Sequence, residues 1–148
     1  MEERLNAWKV APDLMNAVLQ LEKAAAGSGL EHGLYELVKT RASQINGCAY
    51  CLHMHTRDAR KAGEKEERLY LLTAWRESSY FTPRERAALA WTEALTLISQ
   101  THAPDEVYQE VCQHFDEQER VALTLAISTI NVWNRFAIGF KTPHPDAF

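Results

Sequence analysis

Apolar residues recur along the chain at the three- and four-residue spacing of amphipathic helices, and the alternation typical of strands is nearly absent. Within residues 30–47, for example, Leu34 and Leu37 share one helical face. Residues 116–140 begin with acidic positions and then become strongly apolar, so we expect this helix to be the most buried element. The pattern predicts an all-α fold, a compact bundle of six to seven helices.

Proline, glycine and capping residues mark where these helices begin and end. Pro12 is placed to open a helix that Gly27 closes. Thr82 is a candidate N-cap, and Glu85 three residues later predicts a capping box with it. No repeat, low-complexity run or long linker divides the chain. We therefore predict that residues 1–148 form a single domain.

Composition narrows the range of partners. Apolar residues make up 46% and charged residues 24% of the 148 positions, and the net charge of −4 comes from interspersed acids and bases. A basic stripe that could bind nucleic acid or an anionic membrane is missing, and no apolar run reaches the ~20 residues of a membrane span. The first residues carry charges where a secretory signal has an apolar core. We expect a cytoplasmic protein without nucleic-acid or membrane partners.

The stretch GCAYCLHMH, residues 47–55, places two thiols and two imidazoles close together. In a reducing compartment a Cys-x-x-Cys pair is more typical of metal binding or redox chemistry than of a structural disulfide. Asn46-Gly47 breaks the preceding helix, so Cys48 falls at the start of the next one. Cys51 lies one turn further on, about 5 Å away between Cα atoms, which is within the range of a disulfide.

A thiol in this position needs a base, because the thiolate is the reactive form and a helix N-terminus contributes only ~0.3–1 kcal/mol toward ionising it. His55 lies four residues after Cys51 on the same face and can serve as that base. A helical hairpin would bring Glu36 alongside to orient the ring. By spacing alone, however, Glu36 is more typical of a surface charge. His53 points away from this face.

Two other interpretations fit the same residues. A structural zinc site at Cys48, Cys51 and His55 would need a fourth ligand, and the remaining histidines are scattered. Cys112 has apolar neighbours and is expected to be a small core residue. A non-catalytic redox sensor or redox-switched chaperone would use the same disulfide to change its assembly or its partner.

Four residues form a pattern that resembles the core motif of alkylhydroperoxidase D-like proteins in the carboxymuconolactone decarboxylase superfamily. They are Glu36, Cys48, Cys51 and His55, separated by eleven, two and three residues. The similarity extends through LVKTRASQINGCAYCLHMHTRDARKAG, TAWRESSYFTPRERAALAWTEALT and INVWNRFAIGF, and covers about residues 30–140. It implies an all-helical fold and assembly into a homo-oligomer, a trimer or a hexamer.

The resemblance also implies a thiol-dependent peroxidase or disulfide reductase, a peroxiredoxin-type oxidoreductase of antioxidant defence. By this analogy Cys51 attacks a hydroperoxide and becomes a sulfenic acid, and the more exposed Cys48 resolves it into a disulfide. Glu36 and His55 relay the proton. A dithiol, or a thioredoxin- or lipoyl-type protein, then reopens the disulfide, so no cofactor beyond the Cys48–Cys51 pair is expected.

The sequence departs from the best-studied relay at one position between the cysteines. Tyr50 stands where that relay has a second histidine. The decarboxylase branch of the superfamily is a weaker alternative, because its reaction does not need the Cys-x-x-Cys pair.

Overall fold

The computed structural model describes residues 2–145, and within that range the secondary structure is entirely helical. Nine α-helices follow one another, with one 3₁₀ turn over Leu72–Ala74. The helices are α1 (Ala7–Val10), α2 (Pro12–Ala26), α3 (His32–Asn46), α4 (Ala49–Lys61), α5 (Glu66–Leu71), α6 (Pro83–Thr96), α7 (Ile98–Thr101), α8 (Asp105–His114) and α9 (Glu117–Phe140). The predicted all-α fold is confirmed.

Helix ends lie where the sequence signals place them. Pro12 is the first residue of α2, and Gly27 caps its C-terminus. At the start of α6 the Thr82 hydroxyl accepts a hydrogen bond from the Glu85 amide at 3.2 Å, and the Glu85 carboxylate accepts one from the Thr82 amide at 2.8 Å. The predicted capping box is therefore present. Asp116 begins α9 with a second box of the same kind.

Two helices of four residues each, α1 and α7, are not predicted as separate elements. A single turn is too short to show a 3.6-residue period, so the apolar pattern carries no signal for it. Among the longer helices, α2, α3, α4, α6 and α9 lie or begin where the sequence predicts them. The described part of the chain has nine α-helices instead of the expected six to seven because it contains these two short helices.

α3 lies at the centre of the fold, in contact with α4, α6 and α9. Nine of its 15 residues are buried, against eight of 24 in α9. The expectation that α9 is the most buried helix is therefore wrong. α9 has an outer face, on which Val121 and Ile138 are 70% and 44% exposed, whereas α3 is enclosed by its neighbours.

α9 is long and apolar enough to cross a membrane. The core helices of soluble proteins can have the same length and composition. Its inner face is buried in the core, where Leu123 and Ile127 pack with Val38 of α3. A second cluster around Leu37 and Leu89 lies between α3, α6 and the α4–α5 region. Both clusters place apolar side chains around α3, which also carries Glu36 of the predicted site.

Candidate active site

A tight turn between α3 and α4 positions the first cysteine. Gly47 adopts the left-handed conformation (φ 70°), which a residue with a side chain rarely adopts, and ends α3. The next amide, that of Cys48, donates to the Ser43 carbonyl at 3.0 Å. Cys48 thereby becomes the N-cap of α4, as the Asn46-Gly47 signal predicts.

Side-chain amides tie this turn to α9. Asn46 donates to the side-chain oxygens of Asn131 at 3.0 Å and Asn134 at 2.8 Å, and Asn134 donates to the Ser43 hydroxyl at 3.1 Å. Asn134 is 1% exposed, and buried amides without partners would be costly. The sequence does not predict these contacts. Their local signal is weak, because the partners are 85 to 91 residues apart.

Cys48 and Cys51 form a disulfide across the first turn of α4, with Cα atoms 5.4 Å apart. The Cys51 amide donates to the Cys48 sulfur at 3.3 Å. Both residues are 1% exposed, so the expectation of a more exposed Cys48 is wrong. The N-cap position is covered because Ala42 of α3 and Ile130 of α9 pack on the disulfide.

The structure brings Glu36 and His55 together behind this disulfide. The Nδ1 atom of His55 lies 2.9 Å from Oε2 of Glu36, and the two residues are 4% and 5% exposed. Spacing alone made Glu36 typical of the surface, and that expectation is wrong, because the α3–α4 hairpin encloses its side chain. A carboxylate only accepts hydrogen bonds, so with Glu36 as a carboxylate the ring hydrogen of this pair is on Nδ1.

The second ring nitrogen of His55 then carries a lone pair. This atom, Nε2, is buried and has no hydrogen-bond partner among the described residues. Buried polar atoms are normally paired, and an exception at a reactive group points to a chemical role. Cys51 precedes His55 by one helical turn on the same face of α4. The two side chains therefore lie on one face of α4, with Glu36 paired to His55.

A cavity of about 380 Å³ opens onto this arrangement. Cys51, His55 and Glu36 are among its lining residues. Most of the remaining wall is apolar, formed by α2, α4, α9 and the first described residues: Ala7, Trp8, Met15, Leu19, Met54, Trp133, Phe136, Ala137 and Phe140. A largely apolar cavity that also presents several polar groups is typical of a small-molecule site.

The N-terminal segment covers one side of the cavity. Arg4 donates from its backbone amide to the Phe140 carbonyl at 2.9 Å and from its guanidinium to the Gly139 carbonyl at 3.1 Å. Trp8 stacks on Trp133, with ring centroids 6.5 Å apart and planes inclined by 20°. These contacts hold the N-terminal segment against the C-terminal half of α9.

A buried ionic cluster forms another part of the cavity wall. Lys39, 3% exposed, is hydrogen-bonded to the carboxylate of Glu22. Glu22 also accepts from the Tyr35 hydroxyl at 2.7 Å and from the Trp133 indole at 2.9 Å. Burial works to raise the pKa of Glu22, but the Lys39 charge and the three donors hold it below its usual value. Burial and the Glu22 carboxylate raise the pKa of Tyr35.

This ionic cluster is not predicted from the sequence either. Lys39 sits in the apolar run LYELVK, and a lysine there is a usable signal that a buried acid lies nearby. In the structure this acid is Glu22 of α2. A single sequence does not show which of the several acidic residues pairs with Lys39.

Two further expectations concern His53 and Cys112. His53 lies outside the cavity, with its ring 5.4 Å from that of His144. Cys112 is exposed, not a core residue, and its sulfur accepts from Arg120 at 2.7 Å. The apolar neighbour Val111 fills the core position of that turn instead.

Across residues 2–145 no group of three or more histidine, cysteine or acidic side chains is arranged to hold a metal ion.

Comparison with known proteins places this site in context. The chain is 45% identical over 138 residues to YdfG of Bacillus subtilis (strain 168), an uncharacterized protein, and the alignment covers 93% of this chain and 94% of YdfG. It also resembles the crystal structure of ATU0492 from Agrobacterium tumefaciens, a protein of unknown function described as a candidate antioxidant defence protein AhpD. That match has a TM-score of 0.96 at 44% identity and covers 98% of this chain and 99% of ATU0492.

The same fold occurs in more distant proteins. The debrominase Bmp8 matches with a TM-score of 0.81 at 20% identity, over 94% of this chain and 75% of Bmp8, and shares the fold alone. The model of the carboxymuconolactone decarboxylase family matches residues 12–94, which are more than half of the chain. The protein is therefore an alkylhydroperoxidase D-like member of the carboxymuconolactone decarboxylase family.

Proposed function

We propose that the protein is a thiol-dependent peroxidase or disulfide reductase whose working group is the Cys48–Cys51 pair. One observation carries the proposal. Buried His55 is oriented by Glu36 through Nδ1 and keeps Nε2 unpartnered, one helical turn from Cys51 at the same cavity. A nucleophile, a base and a group that orients the base are the three parts of an activated thiol site.

In the oxidative half-reaction, His55 Nε2 takes the proton of the Cys51 thiol. The thiolate attacks the terminal oxygen of a hydroperoxide, the O–O bond breaks, and Cys51 becomes a sulfenic acid. The bonding electrons leave with the alkoxide, which receives the proton from His55 and departs as an alcohol. The Cys48 thiol then attacks the Cys51 sulfur, the S–O bond breaks, and water leaves as the disulfide forms.

The reductive half-reaction returns the pair to two thiols. A thiolate of an external dithiol attacks one sulfur of the Cys48–Cys51 bond, and its second thiol resolves the mixed disulfide. Over the full cycle, one hydroperoxide and one dithiol give one alcohol, one water and one external disulfide. No other cofactor enters the cycle. A small dithiol, a thioredoxin or a lipoyl-type protein supplies the electrons, and the proposed setting is the reducing cytoplasm.

The cavity supports an organic hydroperoxide as the substrate. Trp8, Trp133 and Phe136 offer ring surfaces to an apolar group, while Cys51 and His55 are the polar point at which the O–O bond would lie. Burial of apolar surface contributes about 25 cal/mol per Å², which hydrogen peroxide cannot use.

The proposal includes assembly into a homo-oligomer, a trimer or a hexamer. Tyr108 and Val121, 43% and 70% exposed, line one shallow depression between α8 and α9. Apolar side chains grouped on a surface are typical of protein–protein contacts. Light scattering coupled to size-exclusion chromatography measures the mass directly, and a monomer at micromolar concentration would contradict this part of the proposal.

Steady-state consumption of cumene hydroperoxide tests the function, with dihydrolipoamide, thioredoxin, glutathione and dithiothreitol as reductants. Cys51→Ser should abolish turnover. Cys48→Ser should be oxidised once and accumulate a sulfenic acid that mass spectrometry detects. Cys112→Ser is the matched control and should keep the full rate, because Cys112 lies outside the cavity.

Two results would count against the peroxidase. Full turnover in both Cys51→Ser and Cys48→Ser would show that the pair is not the working group. A single oxidation of the wild type, with no turnover on any of the four reductants, would instead indicate a redox sensor.

A further inference from the structure

A second cavity, of about 310 Å³, adjoins the 380 Å³ cavity at Cys51. The two cavities share Tyr50, Met54 and Asp58 among their lining residues, so they meet along one stretch of α4. Met54 is 38% exposed, and the unbranched thioether of a methionine adapts readily to what lies against it. A flexible chain can therefore lie across this shared wall and occupy both cavities.

The second cavity has a basic end. Arg57 and Lys61 line it, both exposed and four residues apart on one face of α4. Like charges at this spacing repel each other. Each of the other arginines donates a guanidinium hydrogen bond to a carboxylate or a backbone carbonyl. Within residues 2–145 Arg57 and Lys61 have no acid at ion-pair distance, so an anion placed between them would relieve their repulsion.

The 380 Å³ cavity has the opposite charge. Its lining includes four acids and one lysine: Glu3, Glu22, Glu36, Asp58 and Lys39. A carboxylate drawn into this largely apolar space would be repelled by the surplus of acids, more strongly than in water. A molecule with an apolar chain and a carboxylate is therefore oriented by the two cavities. Its chain lies toward Cys51, and its carboxylate stays at the basic end of the second cavity.

The spacing along α4 sets the length of such a molecule. Arg57 and Lys61 follow Cys51 by six and ten residues, which places them about 9 and 15 Å further along the helix axis. A fully extended polypeptide advances about 3.3–3.6 Å for every three backbone bonds, and a hydrocarbon chain has similar dimensions. About eight to thirteen bonds thus connect a carboxylate beside these cations to a group at the thiol.

We propose that the hydroperoxide substrate is a long-chain carboxylic acid, whose carboxylate binds Arg57 and Lys61 while its O–O bond reaches Cys51. This inference rests on the proposed function and names its substrate class. The chemistry is that of the proposed cycle: one hydroperoxy acid and one dithiol give one hydroxy acid, one water and one external disulfide. The carboxylate is unchanged throughout. Arg57 and Lys61 are therefore specificity-determining residues that act on KM.

Steady-state reduction of the 9-hydroperoxide of linoleic acid and of its methyl ester, each kept below the concentration at which it aggregates, tests this assignment. Dithiothreitol serves as the reductant. The double variant Arg57→Gln/Lys61→Gln should raise KM for the acid by about threefold to tenfold, as expected for the loss of two exposed ion pairs, with kcat unchanged. KM for the ester should stay the same, because the ester carries no charge.

Lys23→Gln/Lys65→Gln is the matched control. It removes the same two charges from exposed positions that line neither cavity, so both KM values should equal those of the wild type. An unchanged KM for the acid in Arg57→Gln/Lys61→Gln, or an equal rise for acid and ester, would overturn the assignment.

Binding of decanoate to the oxidised protein involves no peroxide chemistry and separates this inference from the proposed function. Isothermal titration calorimetry should show decanoate binding about threefold to tenfold more weakly to Arg57→Gln/Lys61→Gln than to the wild type, and 1-decanol binding equally to both. Equal binding of decanoate would refute the carboxylate site even in an active peroxidase. A wild type that reduces no hydroperoxide but binds decanoate as expected would refute the proposed function and leave the carboxylate site intact.

Discussion

The imidazole of His55 and the carboxylate of Glu36 are held 2.9 Å apart by two helices that a two-residue turn connects. Both side chains are buried, so the ring of His55 cannot turn away without breaking the pair in a low-dielectric site. The orientation of the His55 ring therefore depends on its hydrogen bond to Glu36.

Glu36→Gln tests this dependence with nearly the same side-chain shape. The amide is neutral and no longer stabilises a protonated His55, so we expect oxidation of the reduced protein by cumene hydroperoxide to slow by about 10²-fold or more. Stopped-flow tryptophan fluorescence measures the rate constant. Glu110→Gln removes a carboxylate from another His–Glu pair and should leave the rate unchanged. An unaltered rate in Glu36→Gln would remove Glu36 from the mechanism.

Trp8→Ala tests the wall that the N-terminal segment forms. The variant removes a ring that lines the cavity, and an aromatic contact with the substrate is worth about 0.5–1.5 kcal/mol, so kcat/KM for cumene hydroperoxide should fall by about twofold to tenfold. The value for hydrogen peroxide should hardly change, because that substrate makes no ring contact. Leu14→Ala is the control, as Leu14 is 68% exposed and outside the cavity. Equal losses for both substrates would contradict an apolar binding wall.

Lys39→Met tests the buried ionic cluster. Removal of the ammonium leaves the Glu22 carboxylate without its cation, which should lower the free energy of unfolding by about 3–5 kcal/mol. The double variant with Glu22→Gln has no unpaired charge and should recover part of that loss. Urea unfolding of the wild type, Lys39→Met, Glu22→Gln and the double variant measures these free energies. Strict additivity of the two single changes would show that Lys39 and Glu22 are not coupled.

Glu93 predicts a pH dependence of stability. Burial works to raise the pKa of Glu93, but hydrogen bonds from Trp75, Arg76 and Arg41 hold it below its ordinary 4.5. The ionised form is thus favoured in the folded state. Its contribution is complete above about pH 4.5 and is lost as the pH falls through the lower folded pKa.

The variant Glu93→Gln should therefore unfold more easily than the wild type at pH 7, by about 1–3 kcal/mol. The difference should shrink in strongly acidic solution, where both side chains are neutral. Urea unfolding at several pH values measures it. A difference that is constant with pH would show that the Glu93 charge does not stabilise the fold.

The local elements of this fold could be predicted because their signals are local. Pro12, Gly27 and the Thr82 capping box act within one helical turn, and the structure has each of them in place. The start of α4 at Cys48 follows from a glycine that reaches the left-handed conformation easily. α1 and α7 could not be predicted as separate helices, because one turn of helix contains no repeat of the apolar pattern.

Burial of polar residues could not be predicted in the same way. Glu36 and Lys39 lie on a helix whose spacing is compatible with exposure, and the groups that bury them come from α2, α4 and α9. The family resemblance singled out Glu36 but was silent on Lys39 and Glu22. For Cys48 and Cys112 the expected exposures were both wrong, because exposure depends on which distant helix covers a given turn.

The stacking of Trp8 on Trp133 has a practical consequence for anyone who studies the protein. These two indoles, among four tryptophans in the chain, line the same cavity as Cys51 of the disulfide. Their emission and near-ultraviolet circular dichroism should change when a molecule enters that cavity or when the sulfur bond opens. The protein thus carries its own optical reporter, and both ligand binding and redox state can be followed without an attached dye.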